Sequence, residues 1–96
     1  MHTKIVGVTF ENRQNLLKKL KVDDKLQLIR EPNNTYDKNA VAVYYGVNQL
    51  GYIGAQLAKY IAHRMDAGTR YQCTVSAVTG GTDGNKYGAN ITLEVI

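Results

Sequence analysis

The chain holds a single cysteine, Cys73, so it cannot close an internal disulfide, which suits a reducing, cytoplasmic setting. Its two histidines, His2 and His63, lie far from each other. With one Cys and two separated His there is no basis for a structural zinc site, and no metal is expected. Long apolar runs are missing as well: the longest, Ala40 to Tyr45, falls far short of a bilayer span. MHTKIVGV goes straight into strand-like residues, without the apolar core of a signal peptide, so no membrane partner is expected. Catalytic patterns are equally scarce. No paired carboxylates stand at useful spacing, and no nucleophile is placed beside a base, so the expectation is a non-enzyme without a cofactor. Gly80, Gly81 and Gly84 lack GxGxxG or Walker spacing and precede no helical pattern, which argues against a phosphate-binding loop.

What is present is a 96-residue chain with 44% apolar residues and a net charge of +4. That length makes one domain, taken as residues 1–96, able to bury roughly two-thirds of its unfolded surface. The mild positive charge permits a nucleic-acid partner without demanding one. Lys4 to Phe10 reads as a first strand with Val6, Val8 and Phe10 on one face, which places Phe10 with the core. Glu11 to Lys21 changes to a helical period, with Leu16, Leu17 and Leu20 as its apolar stripe and Asn12 as its N-cap. Lys25 to Glu31 alternates again. Ala40–Tyr45 and Gln49–Ile53 form a hairpin across Gly46, Val47 and Asn48. Gly54 to Ala67 is helical, with Leu57, Ile61 and Met65 at i, i+4 and i+8 facing the core and Gly68 ending it. Lys59 and His63 fall on its solvent side. Arg70 to Thr79 alternates with Tyr71, Cys73, Val75 and Ala77 on one face, so Cys73 reads as a buried small hydrophobe. Ala89 to Ile96 closes the chain with Ile91, Leu93 and Val95 inward. Five or six short strands with two helices give a β-rich α+β class and a small barrel, which removes the exposed strand edges.

One stretch exceeds what connections require. In REPNNTYDKNAVAV, Pro32 cannot donate to a ladder and ends the strand before it, while Asn33, Asn34 and Thr35 are turn formers. Tyr36, Asp37 and Lys38 then put a ring, a carboxylate and a cation side by side. This motif, followed by LGYI and a helix, resembles the HIRAN domain, and VGVTFENRQ, VTGG and GANITLEV resemble its free-standing bacterial members. The resemblance implies an OB-like six-stranded β-barrel with two helices. It further implies a role in DNA repair or replication, since members of the family are attached to helicase-like ATPases and capture the 3′-hydroxyl end of single-stranded DNA. Single-stranded DNA or another nucleic-acid end is the implied ligand, and a helicase or nuclease the implied protein partner.

Within that family two rings hold terminal bases, an aspartate bonds the terminal hydroxyl and basic residues grip phosphates. Tyr36 and Asp37 match the family's tyrosine and aspartate, and Phe10 stands at the second aromatic position. Thr9 replaces an arginine, Tyr52 a histidine, and Ala55 stands near the place of a lysine. Lys38, Arg13, Lys86 and Lys4 are the cations available to replace the missing charge, and Tyr52 and Tyr87 are rim candidates. The chemistry holds without the name. Rings stack on bases with little sequence preference, whereas a carboxylate repels phosphate unless it accepts a hydrogen bond from a hydroxyl. The bland readings are a ring packed over the barrel mouth for Tyr36 and an Asx turn for Asp37. Arg30 and Glu31 are expected to serve structure through an ion pair or strand-end bonds. The alternative function is a protein-interaction or structural barrel that has lost the DNA-end site.

Overall fold

The computed structural model describes residues 1–96, the side chain of Glu11 excepted. The elements run β1 (His2–Val6), α1 (Glu11–Leu17), β2 (Lys25–Glu31), β3 (Ala40–Tyr45), β4 (Asn48–Ile53), α2 (Ala55–Asp66), β5 (Tyr71–Thr79) and β6 (Gly88–Val95). The strands close into an antiparallel barrel in the order β1-β4-β3-β2-β5-β6. Closure leaves every strand with a neighbour on both sides, as the barrel expected from the sequence requires.

Core positions keep the two-residue period at Cys73 and Val75 of β5 and at Ala89, Ile91 and Leu93 of β6. By contrast β3 is buried on both faces from Ala40 to Val43, and Leu50 and Ile53 of β4 stand three apart beside a register shift. Val41, Val43, Leu50, Ile53, Cys73, Val75, Ile91 and Leu93 fill the interior together with Ile5 and Leu26. Against them lie Leu17 of α1 and Ala58, Ile61 and Ala62 of α2. The small alanines let α2 approach closely. Leu57 and Met65 pack only partly against the core, so Ile61 is the deepest residue of the expected stripe. Cys73 is buried, and burial pushes its thiol up to about 12, which keeps it protonated and inert.

Two connections show how single residues shape the chain. Gly46, at φ +62°, opens the two-residue turn with Val47 between β3 and β4, as a tight hairpin demands. Gly51 lies in β4 where the carbonyl of Val6 comes so close that no Cβ could be accommodated. That close approach holds the end of β1 against β4.

The first strand departs from the expected pattern. It ends at Val6, because Gly7 turns the chain at φ +69°. Ile5 is the inward residue at 3% exposure, while Val6 is 37% exposed, so the buried face is the opposite of the one expected. Phe10 is not core: it occupies the N-cap position of α1 and is 61% exposed. The position expected for Asn12 is therefore taken two residues earlier, and α1 stops at Leu17 instead of reaching Lys21. Val95, paired with Tyr71 at the end of β6, is exposed and does not face inward.

Candidate functional site

At one end of the barrel the β1–α1 turn, the long β2–β3 connection and the start of α2 converge. Val6, Phe10, Arg13, Tyr36, Asp37 and Tyr52 wall a cleft of about 410 Å³, completed by Asn34, Ala40, Ile53 and Ala55. This volume lies in the lower part of the range of small-molecule sites. Five sequence candidates, Phe10, Arg13, Tyr36, Asp37 and Tyr52, therefore share one hollow. Lys38 is exposed on the same connection but does not line it.

The β2–β3 connection is held from within by Asn34. Its Oδ1 accepts the backbone N–H groups of Tyr36 at 2.9 Å and Asp37 at 3.0 Å. Its Nδ2 donates to Glu31 Oε1 at 3.0 Å, and the Tyr52 hydroxyl donates to the same oxygen at 3.0 Å. The backbone thus loses its freedom around Tyr36 while the ring itself stays out: Tyr36 is 98% exposed. A ring packed over the barrel mouth is excluded. Tyr52 is anchored through its hydroxyl, leaving only its ring to wall the cleft.

Asp37 does serve an Asx turn, since its Oδ1 accepts the Asn39 N–H at 2.8 Å and its carbonyl accepts the Ala40 N–H at 3.0 Å. Among the described residues Oδ2 has no partner. One carboxylate oxygen shapes the loop and the other is left without a partner on a residue that lines the cleft. Arg30 and Glu31 serve the frame, but not by pairing with each other. Arg30 forms a bidentate pair with Asp66 of α2, Nε to Oδ1 at 3.0 Å and NH2 to Oδ2 at 3.1 Å, and its NH1 donates to the Ala40 carbonyl at 3.2 Å.

Positive charge enters from α1. The Arg13 guanidinium lies over the Phe10 ring, 4.7 Å from its centroid, and donates to the Gly7 carbonyl at 2.6 Å. Exposed cation–π contacts contribute about 0.5–1 kcal/mol, enough to bias the orientation of both side chains. The start of α2 adds to this. Ala55 lines the cleft, Gly54 offers no side-chain cap, and no acidic residue sits in the first turn. The positive end of a helix dipole, with free N–H groups, thus borders the cleft.

Tyr87 lies elsewhere. It packs partly against the core, and Gly81 is so close to its ring that a Cβ there would collide with it. Gln14 of α1 pins the same residue, its Oε1 accepting the Tyr87 N–H at 2.7 Å and its Nε2 donating to the Tyr87 carbonyl at 2.9 Å and the Val8 carbonyl at 2.7 Å. Lys4 and Lys86 lie in hollows beside Tyr87, outside the cleft. Sequence reasoning named Asn34 only as one of three turn formers, and it missed Gln14. The spacing of Asn34 before Tyr36 and Asp37 was a usable signal for the first; for Gln14, whose partners are distant backbone groups, there was none.

Comparison with known proteins bears on this geometry. The family model of the HIRAN domain matches residues 1–95. Helicase-like transcription factor from Oryctolagus cuniculus is 47% identical over 45 residues, which make up 46% of this chain and 4% of that protein. The matched segment is thus only a small part of that relative. Among solved structures, the HIRAN domain of human HLTF superposes with a TM-score of 0.69 at 26% identity, covering 97% of this chain and 73% of the other. A protein from Lactobacillus plantarum gives a TM-score of 0.75 at 27% identity, covering 97% of this chain and 91% of the other.

Proposed function

The chain belongs to the HIRAN domain family, and from that premise we propose that it is a nucleic-acid-binding module that captures the 3′-hydroxyl end of single-stranded DNA. Tyr36 and Phe10 stack on the terminal bases, Asp37 accepts the hydroxyl and Arg13 takes the adjacent phosphate. The observation that carries this reading is the state of Asp37: one oxygen is held by the Asn39 N–H, and the other is free in a cleft walled by two exposed rings. A carboxylate so placed favours a hydroxyl donor and repels a terminal phosphate. Arg13, one turn into α1, supplies charge that Thr9 and Ala55 do not, and the uncapped start of α2 assists it. The module works in DNA repair or replication beside a helicase or nuclease; of these the name of the helicase-like relative supports the helicase.

The test compares otherwise identical short strands ending in 3′-hydroxyl and 3′-phosphate. The hydroxyl end binds more tightly to the wild type. Asp37→Asn keeps an acceptor for the turn but removes the charge, and lowers affinity for the hydroxyl end by about 1.5–3 kcal/mol, the worth of a charge-assisted hydrogen bond. It also narrows the gap between the two ends. Equal wild-type affinity for both ends overturns the reading.

A second reading, a protein-docking surface, draws on one observation: Arg13 is the only cationic side chain lining the cleft among the described residues, beside the apolar Val6, Phe10 and Ile53. Absence of strand binding even at low salt would favour it.

A further inference from the structure

The cleft does not end at its own walls. Val6 also lines a second hollow, which holds Lys4 and Lys86, and Lys86 and Tyr87 in turn line a third, which holds Lys18. Lys4 and Val6 alternate with the buried Ile5, so both point outward from β1, two residues or roughly 7 Å apart. Lys4 lies opposite Asn90 on β6, and Val6 opposite Tyr52 on β4, which carries the path from the cleft across the outer face of the barrel. All three lysines are exposed, and among the described residues none is in an ion pair. The distribution of charge along this path is one-sided. Among the described residues Asp37 is the only carboxylate lining any of the three hollows, and it stands at one extreme; Asp83, at the tip of the β5–β6 loop, lines none of them. An acceptor at one end and unpaired cations along the remainder suit a ligand with one hydroxyl end and a repeating anionic body.

Resting on the end-capture reading, we propose that the strand held at Asp37 continues over the outer face of β1, with Lys4 and Lys86, and beyond them Lys18, gripping its upstream phosphates. The lysines act on the phosphates alone, so this part of the path adds affinity without sequence preference. The half-buried Tyr87 ring is held by Gly81 and serves as a wall there, not as a stacking platform.

The experiment measures binding of 5′-fluorescein oligothymidylates of two, four, six and eight nucleotides, each with a free 3′-hydroxyl, at several salt concentrations. Wild type gains affinity with length, and the log–log salt slope steepens by about 0.7 for each phosphate contact added. Lys4→Gln combined with Lys86→Gln removes most of the gain beyond the shortest strand, sparing only what Lys18 adds, and returns about 1.4 of the slope, two contacts at about 0.7 each. Binding of the two-nucleotide strand stays unchanged. Lys59→Gln with Arg64→Gln, on the exposed face of α2, is the control and leaves the length dependence intact. The proposal is overturned if the Lys4/Lys86 variant keeps the full length gain, or if the α2 variant loses it. If wild type shows no preference for hydroxyl over phosphate ends while the length gain still depends on Lys4 and Lys86, end capture has failed and the lysine path stands. If the preference is intact and the lysines have no effect, the reverse holds. Equal capture of a polyglutamate peptide, abolished by the same lysine changes, would overturn the strand in favour of an acidic polypeptide.

Discussion

Tyr36 and Tyr87 both sit next to turn-forming loops, and the fold treats them in opposite ways. At Tyr87 the loop closes on the ring: Gly81 gives it room, Gln14 binds the backbone on either side, and the ring packs partly against the core. At Tyr36 the loop is just as firmly built, with Asn34 holding two successive backbone N–H groups, but none of that bonding reaches the ring, which is 98% exposed. Burying a large side chain stabilises a fold by about 1.5–3 kcal/mol, and Tyr36 forgoes that gain on an ordered loop. Rigid backbone under an exposed aromatic is what a binding surface needs, because little ordering remains to be done when the ligand arrives. A ring buried in its own loop stabilises the loop instead. The two tyrosines thus separate a part of the molecule that holds the fold from one left available.

The largest expected effect lies beneath both loops, in the barrel that positions them. Ile61 is fully buried where α2 meets the sheet, and Ile61→Ala should cost about 2–5 kcal/mol. Leu57→Ala should cost less, since Leu57 packs only partly against the core. Chemical denaturation checks both; equal losses would mean that the helix is rotated from the orientation described. Such a loss weakens strand binding only through unfolding, so binding measured below the transition should be unchanged.

This core was largely legible in the sequence. Period-two alternation and the i, i+4, i+8 stripe located α2 and the strands from Leu26 onward, because there burial and local geometry mostly agree; Val95, exposed at the end of β6, departs from the pattern. The first strand was misread because Val6, Val8 and Phe10 keep an alternating apolar pattern past the point where Gly7 breaks the strand. An apolar residue at an exposed binding surface looks in sequence like a core residue, and Phe10 is that case. The gathering of candidates was legible only through the family motif. Nothing local indicates that α1 delivers Arg13 to the same cleft as Tyr36, since the two are brought together by the closure of β1 on β4. The lining of Tyr87 by Gly81 was hidden for the same reason, a contact within the folded β5–β6 loop that no periodicity records.

A middling effect tests the structural half of the comparison. Gln14→Ala removes the partner of the Tyr87 N–H and one partner each of the Tyr87 and Val8 carbonyls. These groups are only part-buried, so water can replace some of the bonding, and the expected loss is about 1–3 kcal/mol. Hydrogen exchange should quicken in the 80–88 segment and in the turn at Val8, while the 31–40 connection keeps its protection. Equal loosening of both loops would show that they are one cooperative unit and that the contrast between the tyrosines is not structural.

The smallest effect on stability is the most telling. Tyr36→Ala removes a ring that touches little, and the backbone beneath it is held by Asn34 and Asp37 rather than by the ring, so stability should stay within about 0.5 kcal/mol of wild type. Strand binding should nonetheless fall by about 1–3 kcal/mol, the worth of one base stacked on an aromatic. The loss should be equal for hydroxyl and phosphate ends, because stacking is indifferent to the terminal group, whereas Asp37→Asn discriminates between them. Tyr36→Phe should retain most of the affinity, since the hydroxyl has no partner among the described residues and the ring face is what stacks. Paired thermal melts and titrations of the two variants decide the matter. If Tyr36→Ala lowers the melting temperature as far as Gln14→Ala does, the ring is holding the loop after all. If it leaves both stability and binding unchanged, the exposed ring has no part in recognition, and the role assigned to it passes to Phe10 and Tyr52.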